Sequence, residues 1–237
     1  MGSGASGVQI AEELHNSGRH VYLSVGRHDW APRRYRQRDI YWWLDTLGIW
    51  RQPIEKHPEM KTWRPLYTGV GGGHDINLHQ FARDGMTLVG RLQGVSDSKL
   101  HFAADLMENL LKSEIWFASF KTRIDEHARE HGFDPTPDEE PDLPQLTELA
   151  QAGELDMSAS NITAIIWAGG FKYDFSWIKL PIFDTSGEPM MRRGVSNWPR
   201  LYFLGLRRTY TAGSSLLAGV GDDAGHIAQH IAAISRS

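Results

Sequence analysis

Apolar positions near the amino terminus recur at helical spacing, with Val8, Ala11 and Leu14 three residues apart, until Gly18 offers a stop. The period then changes. His20 to Val25 reads as a short strand ending at Gly26 and Arg27. Ahead of the helix, Gly2, Gly4 and Gly7 form the spacing GxGxxG. A glycine turn, a helix and a second strand in this order make up half of a nucleotide-binding α/β unit. The strand that gives such a turn its context is expected upstream of residue 2 and is not present in the sequence.

Further along, Trp30, Trp42, Trp43, Trp50 and Trp63 alternate with Arg33, Arg34, Arg36, Arg38 and Arg64. Such a mixture suits a base-stacking groove, but an aromatic helix over Ile40 to Leu47 is more often core-facing or part of an interface. Gly69 to Gly73 predicts a loop, and Asp75 to Phe81 a short helix. Met86 to Leu92 and Lys99 to Phe102 predict two strands joined by a turn around Gly94 and Asp97. Ala103 to His131 predicts the longest helix, with a break near Ser113. Four prolines among acidic residues make Asp134 to Pro144 a linker or surface loop. Ile162 to Trp167, closed by Gly169 and Gly170, has the pattern of a strand buried on both faces of a parallel sheet, and Leu201 to Leu204, ending at Gly205, repeats it. Ala224, Ile227, Ala228, Ile231 and Ile234 predict a last helix.

Composition removes several function classes. The 237 residues contain no cysteine, which excludes disulfides, thiolate metal sites and a cysteine nucleophile, and makes a reducing, cytoplasmic setting the natural expectation. A net charge of -4 and a pI near 6.2 argue against a nucleic-acid partner. No apolar run reaches the roughly 18 residues of a membrane span, and no signal peptide follows Met1.

The glycine motif carries the main chemistry. Its first glycine permits the tight turn, its second lets backbone approach a pyrophosphate, and its third allows close helix packing. Helix N–H groups would hold the anion, and Ser6 could add a hydroxyl. After the second strand an NAD site would place an acid, whereas this chain has Ser24, Arg27, Arg33 and Arg34, which suit a 2′-phosphate and hence NADP. The alternative is that these arginines are solvated surface residues. His74 with Asp75, and His226 with His230, have the types of metal ligands, but neither pair has a third ligand at evident spacing, so no metal is expected.

The stretches GSGASGVQIAEEL, VYLSVGRHDWAPRRYR, IIWAGGFKYDFSWI, LYFLGL and SSLLAGVGDDAGHIAQHI together resemble the NADP-dependent flavin-containing monooxygenases and the CzcO-like FAD-dependent oxidoreductases. The resemblance implies an α/β fold of two Rossmann-like dinucleotide-binding domains. It assigns 1–171 to an NADP-binding domain, with the helix and acidic proline-rich loop at about 103–145 as an insertion. It assigns 172–237 to the carboxy-terminal part of an FAD-binding domain whose amino-terminal unit is missing. Ala168, Gly169, Gly170 and Phe171 match the family's Ala-Thr-Gly crossover, with Gly169 in place of threonine. Gly205, Ser215, Leu216, Gly221 and Asp222 match the flavin-contacting segment, where Asp222 and Asp223 could equally be helix caps.

The implied activity is NADPH-dependent flavoprotein oxidation of a small organic substrate by oxygen, in a truncated form. The alternatives are a flavin reductase or transport-linked flavoprotein without oxygenation, and a noncatalytic NADP-binding remnant. No catalytic side chain and no oligomeric state is assigned.

Overall fold

The computed structural model describes residues 1–56, 65–133 and 152–235. In chain order its elements are α1 (Ala5–Asn16), β1 (Tyr22–Ser24), β2 (Arg34–Tyr35), β3 (Arg38–Asp39), α2 (Ile40–Thr46), α3 (Leu78–Arg83), β4 (Thr87–Val89), β5 (Leu92–Ser96), β6 (Lys99–Phe102), α4 (Leu106–Glu130), β7 (Glu154–Asp156), β8 (Met191–Arg192), β9 (Val195–Ser196) and α5 (Val220–Ile234). The fold is α/β. It divides into two units, one of Met1–Ile40 with Arg64–Gly170, the other of Tyr41–Trp63 with Phe171–Ser237. The segment Tyr41–Trp63, which the resemblance places in the NADP-binding domain, groups here with Phe171–Ser237.

In the first unit, α1 buries Gly7, Val8 and Ala11, and it stops where Gly18 takes φ +82°. There the Gly18 amide donates to the His15 carbonyl and the Arg19 amide to that of Leu14, the paired closure that a left-handed glycine permits. β1 and β4 pair in parallel, Tyr22 opposite Thr87 and Ser24 opposite Val89. Val8, Ala11, Leu23, Val25, Leu88, Leu106 and Leu110 meet in one apolar core, which fixes α1 and α4 against these strands. Asn77 caps α3, its side-chain oxygen accepting from the amides of His79 and Gln80.

β5, β6 and β7 form an antiparallel sheet, with Leu100 and Phe102 buried on it. The expected Met86–Leu92 strand is therefore two strands in two sheets, separated at Gly90. A side chain at Gly90 would stand 1.9 Å from the Ala103 carbonyl oxygen. Gly94 lies inside β5, and the turn falls at Asp97 and Ser98, both at positive φ as a two-residue hairpin turn requires. α4 runs unbroken for 25 residues, because Ser113 is buried within it and does not interrupt it. Across the β2–β3 hairpin, Tyr35 and Arg36 both reach Asp125 of α4, at 2.8 and 2.7 Å. The acidic proline-rich loop lies outside the described residues.

Two expected strands are absent. Ile162 to Trp167 pairs as no strand and is largely exposed, Trp167 to 68%. A buried parallel strand needs backbone partners on both edges, whereas among the described residues the Ile162 amide makes a local turn bond to the Met157 carbonyl and the Ile166 carbonyl accepts from the Met1 nitrogen. Leu201 to Leu204 makes a single bridge, between Tyr202 and Val195, and Leu204 is exposed.

The second unit joins its two chain segments through backbone bonds. The Ile54 amide donates to the Tyr210 carbonyl at 2.8 Å, and that of Gly213 to the Trp50 carbonyl at 3.2 Å. Trp43, Leu44, Ile49 and Trp50 are buried, so these side chains are core and not a base-stacking surface, while Trp63 and Arg64 lie outside the described residues. α5 buries Ile227, while Ile231 and Ile234 remain exposed.

Candidate functional site

The three motif glycines sit at the head of α1 in three different steric situations. Gly2 has φ +102°, and a side chain there would lie 2.6 Å from the Ala168 carbonyl oxygen. At Gly7 a side chain would lie 1.9 Å from the Gly2 carbonyl oxygen, so the helix folds back onto its own turn. Around Gly4, by contrast, nothing lies within 4 Å, and Gly4, Ala5 and Ser6 are exposed. Gly4 is the N-cap of α1 and supplies no side-chain acceptor, and the first helical bond runs from the Val8 amide to the Gly4 carbonyl. The amides of the first turn thus present partial positive charge at an open surface.

Ser3 connects this turn to the end of β1. Its hydroxyl oxygen accepts the Gly26 amide at 2.9 Å, and the Gly26 carbonyl is held from the other side by His28 Nδ1 at 3.0 Å. His28 is buried, and that burial lowers its pKa, so the neutral ring donates from Nδ1. The exposed Arg27 follows directly. The stem of Arg91 lies along Gly26, 3.7 Å from where a side chain would stand. Arg91 itself pairs with Asp105 at 2.5 Å. Burial alone would raise the Asp105 carboxyl, but the amide and guanidinium of Arg91 outweigh it and hold it below its ordinary range. The chain leaves β1 and β4 through the same three residue types, Val25-Gly26-Arg27 just after β1 and Val89-Gly90-Arg91 at the end of β4. This repeat, absent from the sequence reading, was the available signal for Arg91 and Gly90.

The remaining arginines and serine have structural partners. Arg33 forms an ion pair with Asp39 at 2.7 Å and donates to the Thr68 carbonyl. Arg34 donates to the carbonyls of Gly72 and Gly73, which, with Gly71, take positive φ. The two arginines hold the glycine loop. Ser24 is buried and donates to the Gly90 carbonyl at 3.0 Å. His74 contacts Glu12, Asp75 accepts the Arg33 amide, and His230 lies 3.3 Å from the Tyr202 hydroxyl. Among the described residues, no three His, Asp or Glu gather as metal ligands.

In the second unit, Gly205 is exposed at φ +77° with open space around it. Ser215 is half-buried, while Leu216, Gly221 and Asp222 are exposed. Ser214, which the sequence reading passed over, is fully buried and accepts from the amides of Tyr210 and Thr211. Asp223 neither caps α5 nor faces solvent: it pairs with Arg193 at 3.0 Å, and Arg193 lies over the Tyr210 ring. Gly170 is exposed at φ +87° at the end of the first unit. Among the described residues, no helix is long and apolar enough to cross a membrane.

Three curated relatives align with 98% of this chain and are each about twice as long. One from Bacillus velezensis, named an uncharacterized oxidoreductase CzcO, is 42% identical over 236 residues. One from Geobacillus kaustophilus, named CzcO-like, is 29% identical over 233 residues, and one from Bacillus subtilis, named CzcO, is 27% identical over 233. No protein-family model matches the chain, and no solved structure does. The chain spans 51% of each relative. By sequence it is similar to these CzcO and CzcO-like oxidoreductases, and it spans about half their length.

Proposed function

We propose that this chain is the NADP-binding part of a flavin-dependent oxidoreductase of the monooxygenase type, acting on a small organic substrate with oxygen. The observation that carries the reading is the steric division among Gly2, Gly4 and Gly7. Two of them are closed against backbone, and the middle one is open at a helix N-terminus. That division is what a pyrophosphate contact demands, since backbone must be rigid behind the anion and bare in front of it. In a Rossmann-like reading the crevice lies at the carboxyl ends of the parallel strands, where Arg27 and Arg91 add positive charge suited to a 2′-phosphate.

Bound there, NADPH would supply a hydride for a flavin, which is chemistry belonging to the cofactors. The residues of this chain bind and orient. The Ala5, Ser6 and Gly7 amides would hold the pyrophosphate, Ser3 would keep Gly26 and Arg27 beside the turn, and Asp105 would aim Arg91. In the second unit, Gly205 and Gly221 are exposed positions without side chains, as close backbone approach to a flavin would need, and the exposed Leu216 side chain lies in the same segment as Gly221.

Calorimetric titration of the chain with NADPH and NADH tests the reading. Saturable binding with NADPH the tighter ligand is expected. No binding of either, or equal affinity for both, would overturn the NADP assignment.

A further inference from the structure

We propose that His127 and His131, one turn apart at the end of α4, form an open two-nitrogen site for a divalent transition-metal ion, with water completing its coordination. The proposal stands on α4 alone and is independent of the cofactor reading. Residues four apart lie one above the other on a helix face. Here the two rings are drawn together, their centroids 4.0 Å apart and their planes within 24° of parallel. The Phe133 ring lies nearly parallel to both, at 6.0 and 6.3 Å, an apolar wall beside the pair.

The hydrogen bonding decides which nitrogen of His131 is available. Its Nδ1 lies 2.9 Å from the His127 carbonyl oxygen, and a carbonyl can only accept, so Nδ1 carries the proton. In the neutral ring the lone pair is then at Nε2. A ring held through its other N–H by a backbone carbonyl is what orients a histidine for metal binding. The same carbonyl accepts the His131 amide at 3.1 Å, which fixes the backbone under the ring as well. His131 is exposed and His127 half-buried, so an ion reaches the pair from solvent.

A ligand nitrogen stands about 2.0–2.1 Å from a bound ion, so two of them are about 3.0 Å apart at a right angle and about 3.4 Å at a tetrahedral one. Rings stacked at 4.0 Å reach that separation by tilting toward each other at one edge. The carboxyl end of α4 also carries the negative end of the helix dipole, which favours a cation there. Of the flanking charges on that turn, Glu126 and Glu130 favour it and Arg129 opposes it. Imidazole nitrogens select borderline ions, Cu²⁺ above Ni²⁺ and Zn²⁺, and do not hold the hard Mg²⁺ or Ca²⁺. Once bound, the ion would bridge the last turn of α4 and clamp its end. The other pair at this spacing, His226 and His230 of α5, is arranged differently: His230 Nδ1 faces the Tyr202 hydroxyl at 3.3 Å, and the two rings cross at 73°.

The test titrates the chain with copper chloride by calorimetry and reads amide hydrogen exchange over 128–131. The parent should bind Cu²⁺ and exchange these amides more slowly in its presence, while magnesium chloride should do neither. His131→Gln should weaken the binding at least about tenfold and remove the protection, because one nitrogen is left where two acted together. Adding Arg123→His to His131→Gln rebuilds a pair four residues apart with His127 and should restore the affinity at an unchanged number of histidines. His230→Gln should alter neither affinity nor exchange. Equal affinity in the parent and His131→Gln overturns the proposal. So does failure of Arg123→His to restore binding, loss of binding in His230→Gln, which would assign the ion to α5, or bound Cu²⁺ that leaves exchange over 128–131 unchanged.

Discussion

Replacing Gly7 with alanine separates the architecture of the glycine turn from its chemistry. Inside a helix the substitution ordinarily stabilises, by about 1 kcal/mol. Here the new methyl group would stand 1.9 Å from the Gly2 carbonyl oxygen and 3.3 Å from the Ala168 side chain. To open the first contact to 3.0 Å, backbone must retreat by 1.1 Å, and Gly2 is itself wedged against Ala168. Overpacking costs about 1–3 kcal/mol, and an obstacle made of backbone places this case at the upper end. After the propensity gain, the expected net loss is about 2 kcal/mol. Gly4 to alanine is the control, since its side chain meets nothing within 4 Å and only weakens the N-cap, by less than about 1 kcal/mol. Hydrogen exchange of α1 and β1 amides reads the first unit directly. Gly7→Ala should accelerate their exchange strongly, and Gly4→Ala slightly. For NADPH binding Gly4→Val should be as damaging as Gly7→Ala while leaving exchange near that of the parent chain. A Gly7→Ala protein as stable as the parent would refute the steric argument.

Arg27→Ala and Arg91→Ala should each weaken NADPH by a charge-assisted contact of about 1.5–3 kcal/mol, roughly 10- to 100-fold, and NADH far less. Equal losses for the two nucleotides in a titration would remove the 2′-phosphate role. Burial lowers both His28 and His79 below the ordinary 6.5, so the unfolded chain takes up protons that the folded one refuses. Their stabilisation is fully present above 6.5 and drains as pH falls through that value, whereas Glu114, raised by burial, loses its contribution as pH rises from 4.5. The urea midpoint should therefore drop between about pH 7.5 and pH 5.5, and less so in His79→Gln. A midpoint that stays level would contradict it. Arg193→Ala leaves the buried Asp223 carboxylate without its cation and should destabilise the second unit by about 3 kcal/mol, visible as faster exchange along α5.

What the sequence made legible follows from how local each signal is. α1 and its Gly18 stop depend on residues within a turn of each other, and both were readable. The misjudged break at Ser113 came from taking a polar residue as an interruption, when burial inside a long helix is equally open to a small hydroxyl. Ile162 to Trp167 shows the opposite failure: an apolar run signals a preference for burial, yet only a paired backbone makes a strand. At the site, the glycines announced themselves by spacing, while Arg33, Arg34 and Ser24 could not reveal that their donors were committed to Asp39, the glycine loop and Gly90. The partnership of Trp50 with Gly213 is separated by more than 160 residues and leaves no trace in local pattern.

That partnership sets an order of events during synthesis. The segment from Tyr41 belongs to a unit whose other part begins at Phe171, so more than a hundred residues must emerge between the two. At about 5–20 residues per second this interval lasts on the order of 5 to 20 seconds. Throughout it Trp43, Leu44, Ile49 and Trp50, which the finished unit buries, have no Tyr210 or Gly213 to close against. The last residue of the first unit, Gly170, meanwhile leaves the ribosome before the second segment of the other unit begins. A nascent chain paused between these points would present a cluster of tryptophans to chaperones, and synonymous codons that slow that stretch would lengthen the exposure without altering a single residue.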